Sequence, residues 1–129
     1  MIGVDYNDDT PDVSYAYDRL GRQAEVTDAV GTRVFAYNPQ TLQQETETIA
    51  GLTPATLKRH YDPVSVKGRL IGMQLGESYT VGYGYDQSGR MGSVSWTANG
   101  QSDAAVYSRV AGSELLGGYA TQSGFATTY

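Results

Sequence analysis

A recurring tyrosine–aspartate motif constrains the fold of this chain more than any other feature. Residues 15–22 and residues 83–90 both have the pattern Tyr-x-Tyr-Asp-x-x-Gly-Arg without a gap. A looser copy begins at His60 and reaches Gly-Arg only after a longer loop, and residues 36–39 form a degenerate copy without Gly-Arg. The motif positions are Tyr17, Asp18, Gly21, Arg22, Tyr37, Tyr61, Asp62, Gly68, Arg69, Tyr85, Asp86, Gly89 and Arg90.

The chemistry of the motif is typical of a β-hairpin turn. Its aspartate can accept a hydrogen bond from the backbone two residues on, and its glycine supplies the positive φ that closes a short loop. Arg22 and Arg90 follow their aspartates by four residues, which predicts an exposed Asp–Arg ion pair across each hairpin mouth. The anchor tyrosines are 20, 24 and 24 residues apart, a period that suits a two-stranded hairpin and is too short for a βαβ unit.

Between the turns, apolar and polar residues alternate with the period of a β-strand. Tyr79, Tyr83 and Tyr85 fall on one face of a predicted strand, and Trp96 falls on the apolar face of the next. Residues 53–59 are interpreted as a loop that leads into a strand. We therefore predict an all-β fold, an antiparallel sheet of successive hairpins with about eight to ten strands and a modest core, forming one module over residues 1–129.

Composition excludes several functional classes. The chain has 129 residues, a net charge of −5 and no cysteine, so it offers no thiolate metal site and no cysteine nucleophile, and its acidity disfavours nucleic acid as a partner. His60 is the only histidine, and neither a serine elbow nor a glycine-rich phosphate loop is present. No apolar stretch approaches the length of a membrane span. We expect a protein without enzymatic activity, cofactor or membrane insertion.

The motif and its spacing resemble the YD repeat of the Rhs family, which also occurs in toxin-complex subunits and teneurins. Residues 31–38 are similar to the Gly-Thr-x-x-Phe-x-Tyr-Asn/Asp link of that family, and residues 26–31 are similar to its Val-Thr-Asp-x-x-Gly turn. The resemblance implies a section of a spiralling β-sheet shell, whose wall is not catalytic and which encloses or displays a toxin or another effector. It also implies a fragment of a larger bacterial protein that is secreted or at the cell surface, and motif residues with a structural role.

Two departures from the repeat pattern are expected to alter single hairpins. In the copy at Tyr61, six residues separate Asp62 from Arg69, where the other copies have three, so this hairpin is expected to bulge outward. At Tyr37, the residues Asn-Pro-Gln-Thr replace the Gly-Arg half, which affects the turn and not the strand pairing.

Two other functional hypotheses remain open at the level of the sequence. A cell-surface binding module would present the aromatic surface of Tyr79, Tyr83 and Trp96 to a carbohydrate or a protein. A small stand-alone acidic protein would inhibit a partner through its carboxylates or a free strand edge. Open sheet edges also predict pairing with neighbouring repeats or self-association.

One acidic segment and one pair of glutamates were considered as sites. Asp5, Asn7 and Asp9 alternate like the start of a calcium loop, but threonine stands where that loop needs glycine, so a solvated turn is favoured. Glu45 and Glu47 lie two residues apart on a predicted strand, and a wet strand surface is favoured over a glycosidase pair.

Overall fold

A computed structural model describes residues 2–9, 11–64 and 66–128. Within these ranges the chain forms twelve β-strands and no helix. The strands are β1 (Ile2–Val4), β2 (Val13–Tyr17), β3 (Gln23–Asp28), β4 (Gly31–Tyr37), β5 (Gln44–Gly51), β6 (Ala55–Tyr61), β7 (Leu70–Leu75), β8 (Tyr79–Tyr85), β9 (Met91–Ala98), β10 (Gln101–Arg109), β11 (Leu116–Thr121) and β12 (Ala126–Thr128). No helix in the described ranges is long and apolar enough to cross a membrane.

The chain divides into two compact units, Met1–Arg59 and His60–Tyr129. In the first unit, each strand from β1 to β6 pairs antiparallel with the next one. In the second unit, the strands from β7 to β12 do the same. The predicted fold class, an all-β antiparallel sheet of successive hairpins, is confirmed. The expected eight to ten strands were too few, because a three-residue strand such as β1 carries little periodicity.

The prediction of a loop over residues 53–59 is wrong for residues 55–59, because the strand that this loop was expected to precede, β6, already begins at Ala55. Pro54 lies just before it, where its missing N–H leaves no gap in the ladder.

The second unit has two chemically different sheet faces. Directly paired residues lie on the same face, and neighbours along a strand lie on opposite faces. Val81 pairs with Met73 and Trp96, whereas Thr80 pairs with Gln74 and Thr97. One face, called here the tyrosine face, carries the large side chains of Ile71, Met73, Leu75, Tyr79, Val81, Tyr83, Val94, Trp96, Tyr107 and Tyr119, with Ala98, Gln101, Asp103, Ala105 and Thr121 among them. The other face, called here the small-residue face, carries mainly small residues, Thr80, Gly82, Gly84, Ser93, Ser95, Thr97, Ala104 and Ala120, with Gln74, Ser102 and Val106 among them.

Neither unit has a buried hydrophobic core. No hydrophobic side chain among the described residues is fully buried. The expected modest core is therefore wrong, because strands paired only in sequence order make a single layer, and a core needs a second layer. Aromatic side chains instead pack sideways along the sheet, as in the contacts of Tyr119 with Tyr107 and Phe125, with ring centroids 6.3 and 5.9 Å apart.

Candidate functional site

The two gap-free motif copies fold into the same turn. Asp18 donates its N–H to the carbonyl of Arg22 over 2.8 Å, and Gly21 donates to the carbonyl of Asp18 over 3.0 Å. The second copy repeats both bonds between Asp86 and Arg90 and between Gly89 and Asp86, at 2.8 and 2.9 Å. Gly21 and Gly89 have φ values of 79° and 81°, which an L-residue with a side chain adopts only at a cost.

The motif aspartate organises the turn by accepting several hydrogen bonds. Its Oδ1 accepts the N–H two residues on, from Leu20 over 2.8 Å in the first copy and from Ser88 over 2.9 Å in the second. The same oxygen accepts the N–H of Arg22 or Arg90 over 2.9 Å. The aspartate is therefore the motif residue whose side chain holds the turn in its conformation.

The arginine of each turn lies against its aspartate. Arg22 contacts Asp18 Oδ2 through Nε at 2.7 Å and through Nη2 at 2.6 Å, and Arg90 Nε lies 2.7 Å from Asp86 Oδ2. The sequence predicted an exposed contact, but these side chains are half-buried, with 27% of Arg22 and 24% of Asp18 accessible. The difference arises because each arginine also packs on a neighbouring hairpin.

These contacts shift the titration of both aspartates downward. The Arg90 amide is the largest influence that lowers the pKa of Asp86, and the Arg90 guanidinium lowers it further against partial desolvation. For Asp18, desolvation raises the pKa, but the Arg22 amide, the Arg22 guanidinium and the Leu20 amide together bring it below its ordinary value. The Asp86 side chain raises the pKa of Arg90. Both aspartates are therefore ionised near neutral pH.

In the first unit, an arginine and a tyrosine join consecutive motif hairpins. The guanidinium carbon of Arg22 lies 4.1 Å from the ring centroid of Tyr37, within the range of a cation–π contact. The Tyr37 hydroxyl donates to the carbonyl of Gln23, the residue after Arg22, over 2.8 Å. Arg22 Nη1 also donates to the carbonyl of Leu42 in the next turn over 3.0 Å. We call the cation–π contact and the tyrosine hydrogen bond together a stitch.

The second unit contains the same stitch at equivalent positions. Arg69 lies 4.5 Å from the ring centroid of Tyr85, and the Tyr85 hydroxyl donates to the carbonyl of Leu70 over 2.7 Å. The strand register explains why both units contain the stitch. Continuing the β3–β4 pairing toward the turn places Arg22 opposite Tyr37. Continuing the β7–β8 pairing in the same way places Arg69 opposite Tyr85. The sequence repeat therefore encodes a contact between hairpins as well as a turn within each hairpin. Tyr17 has no such arginine among the described residues, and its side chain is exposed.

The two irregular copies keep the turn with altered chemistry. At residues 38–43, Asn38 Oδ1 accepts the N–H groups of Gln40 and Thr41, and Leu42 takes the positive φ of 63° that glycine has in the exact copies. The strand pairing on either side of this turn is retained, as expected. At residues 62–69 the longer loop closes by a bond from Asp62 N–H to the Arg69 carbonyl, and Gly68 has a φ of 87°. Ser65, inside this predicted bulge, lies outside the described residues.

A further motif position was missed by sequence reasoning. Arg109 lies 24 residues after Tyr85 and takes the place of the anchor tyrosine, since its Nη2 donates to the carbonyl of Met91, the residue after Arg90, over 3.2 Å. The turn that follows has the familiar bonds, from Val110 N–H to the Leu115 carbonyl and from Ser113 N–H to the Val110 carbonyl, both 3.0 Å. The constant spacing was the signal available, but the substitution of tyrosine by arginine hid it.

A β-bulge marks the same place in these hairpins. The register shifts at Tyr17, Tyr37, Tyr85 and Arg109, each time at the residue before the turn. One extra residue therefore follows the turn on the partner strand, which bends that strand and increases its local twist. The shared bulge is an independent sign that Arg109 occupies a motif position.

The predicted aromatic surface is only partly available to a ligand. Tyr79 and Trp96 are 42% and 38% exposed and lie on the tyrosine face. Tyr83 is half-buried, and its hydroxyl lies 3.5 Å from Met73 Sδ. Tyr85 is held in the stitch with Arg69. Two aromatic rings therefore remain open on this surface.

The other candidate side chains do not assemble a chemical site. In the described ranges, no three histidine, aspartate or glutamate side chains form a group that could hold a metal ion. Glu45 accepts a hydrogen bond from Asn38 Nδ2 over 2.7 Å, and Glu47 pairs with Arg59 at 3.3 Å. In the acidic segment, Asp12 Oδ1 accepts the N–H of Tyr6 over 3.1 Å, and Thr10 lies outside the described residues.

Two cavities open beside the motif turns of the second unit. One of about 510 Å³ is lined by Asp62, Arg69, Tyr83, Tyr85 and the turn of Asp86. The other, of about 450 Å³, is lined by Arg90, Arg109 and residues 110–114. Both are walled by side chains that hold the turns, so they are spaces between successive turns.

The sequence matches no protein-family model, and it matches no curated protein.

Proposed function

We propose that this chain is a non-catalytic structural module, a stretch of YD-repeat β-sheet of the kind that forms the wall of an Rhs-type shell around a toxin or another effector. The observation that carries the proposal is the stitch, which occurs once in each unit. Arg22 and Arg69 lie over Tyr37 and Tyr85, and each tyrosine hydroxyl binds the carbonyl after that arginine.

The stitch supports a wall function because it uses the motif side chains to hold hairpins together. Arg22 binds its own aspartate, Asp18, and stacks on Tyr37, so it has few donors left for a ligand. A motif selected for ligand binding would instead hold its arginine and tyrosine open toward solvent. The bonds are also local to neighbouring hairpins, so the pattern can continue along a longer sheet without new kinds of contact.

Determining the coding sequence on either side of these residues tests the proposed wall function directly. Many further Tyr-Asp-x-x-Gly-Arg copies followed by an unrelated C-terminal domain are expected. In that full chain, the wall should protect the C-terminal domain from protease. A variant that carries both Arg22→Ala and Arg69→Ala should lose this protection. A full chain whose C-terminal domain is cleaved equally in both forms would overturn the proposal.

The second candidate function is a binding module for a carbohydrate or a cell-surface protein. It is favoured by the exposure of Tyr79 and Trp96 on one sheet face. Rings on a flat sheet can stack on sugar faces. A Tyr79→Ala and Trp96→Ala variant that keeps its fold but loses glycan binding would support it, and a wild-type chain that binds no glycan would exclude carbohydrate as the ligand.

A further inference from the structure

The tyrosine face of the second unit is an apolar sheet surface without a covering layer. Ten of its residues have large apolar or aromatic side chains, five of them aromatic, and Asp103, which pairs directly with Trp96, is a charged residue of the same face. Ile71, Leu75, Tyr79 and Trp96 are exposed, and none of the others is fully buried. Asp103 lies beside them on the same face, but its carboxylate is occupied by Ser123, whose Oγ lies 2.6 Å from Oδ2.

This face differs from the other sheet surfaces of the chain. The small-residue face of the same unit presents glycine, alanine, serine and threonine, which bury little apolar area on contact. In the first unit, the face that holds Val26, Arg33 and Ile49 carries the ion pairs Arg33–Asp28 and Arg59–Glu47, at 3.8 and 3.3 Å. Ion pairs in the middle of a face are costly to desolvate, so that face is a poor partner for an apolar surface.

We propose that a second copy of this chain covers the tyrosine face, so that two second units pack face to face as the layers of a β-sandwich. Sheets become stable domains by burying one face against another layer, and the second unit contains no such layer among its described residues. Because the chain carries a net charge of −5, two copies repel each other through most surfaces, and a face whose strands contain a single acidic residue, Asp103, limits that repulsion. A two-fold axis through the face makes the contact isologous and closed.

The area of the face suits a weak dimer. Its ten large side chains lie on five strands, from β7 to β11, which at a spacing of about 4.8 Å and about six residues each at about 3.3 Å give a surface of roughly 24 by 20 Å. Covering it on both copies removes about 950 Å² from water, which is in the range of weak, transient protein interfaces. The aromatic residues at its centre are of the kinds enriched in interface cores. The contact forms whether or not the chain belongs to a shell wall.

The only tryptophan of the chain lies on this face, so its fluorescence reports the contact directly. Sedimentation and Trp96 emission are measured together over a broad range of concentrations of the unmodified chain. A dimer is expected at high concentration, with Trp96 emission shifting to the blue and iodide quenching falling in step with dimer formation. A chain that stays monomeric, or that dimerises while Trp96 remains open to iodide, overturns the proposal, and the second result indicates edge-to-edge pairing.

Two glutamate variants at adjacent positions distinguish the faces. Trp96→Glu is expected to be monomeric at every concentration, whereas Thr97→Glu, with the same charge on the small-residue face, is expected to dimerise like the wild type. Circular dichroism checks that both fold. If Trp96→Glu is unfolded, Leu75→Lys with Gln74→Lys as its control serves the same comparison. Equal loss of the dimer in both members of a pair contradicts the face-to-face arrangement, as does a monomer that binds a glycan or another protein through Trp96.

Discussion

The hydroxyl of Tyr85 provides the sharpest test of the stitch. Tyr85→Phe keeps the ring under Arg69 but removes the 2.7 Å bond between its hydroxyl and the carbonyl of the half-buried Leu70. A hydrogen bond of this kind contributes about 1 kcal/mol to the free energy of unfolding. With a urea m-value of about 1.5 kcal/mol/M, the midpoint of unfolding should fall by about 0.7 M.

Tyr79→Phe is the matched control, because it removes the same atom from the same strand. The Tyr79 hydroxyl has no hydrogen-bond partner within the described residues, and its side chain is 42% exposed. Its midpoint should therefore stay within about 0.2 M of the wild type. Equal shifts for the two variants would refute the inference that the Tyr85 hydroxyl joins two hairpins.

A double-mutant cycle then measures the cation–π part of the stitch. Arg69→Met and Tyr85→Leu, alone and together, should show a coupling of about 0.5–1 kcal/mol in the free energy of unfolding. Strictly additive effects would show that the guanidinium and the ring lie close without stabilising each other.

The remaining predictions concern a glycine, a degenerate motif position and pH. Gly31→Ala should destabilise the chain by about 3 kcal/mol or more, because φ at Gly31 is 146° and the new Cβ would overlap a backbone carbonyl. Gly21→Ala should cost only about 1–2 kcal/mol, because φ at Gly21 is 79° and the space around the new Cβ is open. Equal urea midpoints for the two variants would contradict this ranking. Arg109→Tyr restores the anchor tyrosine and should raise the free energy of unfolding by about 0.5–1 kcal/mol, so a lower thermal midpoint would argue against the motif assignment. The pKa values of Asp18 and Asp86 are lowered from 3.8, so their contribution is complete above the unfolded value and is lost as pH falls through the folded values. Urea midpoints should therefore drop below about pH 4, and less steeply in Asp18→Asn and Asp86→Asn variants, whereas an unchanged slope would exclude these pairs as the cause.

The sequence predicted the strand class and the turns well because both are encoded locally. A strand period of two and an Asp-x-x-Gly turn are properties of short segments, and the structure contains both. The edge strand β1 escaped prediction because three residues carry no measurable period. The stitch escaped it because Arg22 and Tyr37 meet through the register of β3 and β4, and register depends on the bulges.

The degenerate positions show a second limit of the sequence. Leu42 performs the role of the motif glycine at a φ of 63°, and Arg109 performs the role of the tyrosine by binding the same carbonyl position. Residue identity differs in both places while backbone geometry is kept. The missing core was also beyond sequence reasoning, since alternation predicts which face is apolar but not whether anything covers it.

The locality of the stitch bears on how genes for such chains can change. Each stitch links a turn to the next hairpin only, so a duplicated segment of 24 residues, the spacing between successive anchors from Tyr37 onward, would bring both halves of its own junction. Unequal recombination between copies would lengthen or shorten the sheet by whole hairpins without disturbing the junctions that remain. An insertion of another length inside a strand would shift the arginine away from its tyrosine and leave a break. Length variation among descendants of such a gene is therefore expected in steps of one repeat, with irregular lengths confined to the turns, as in the loop between Asp62 and Arg69.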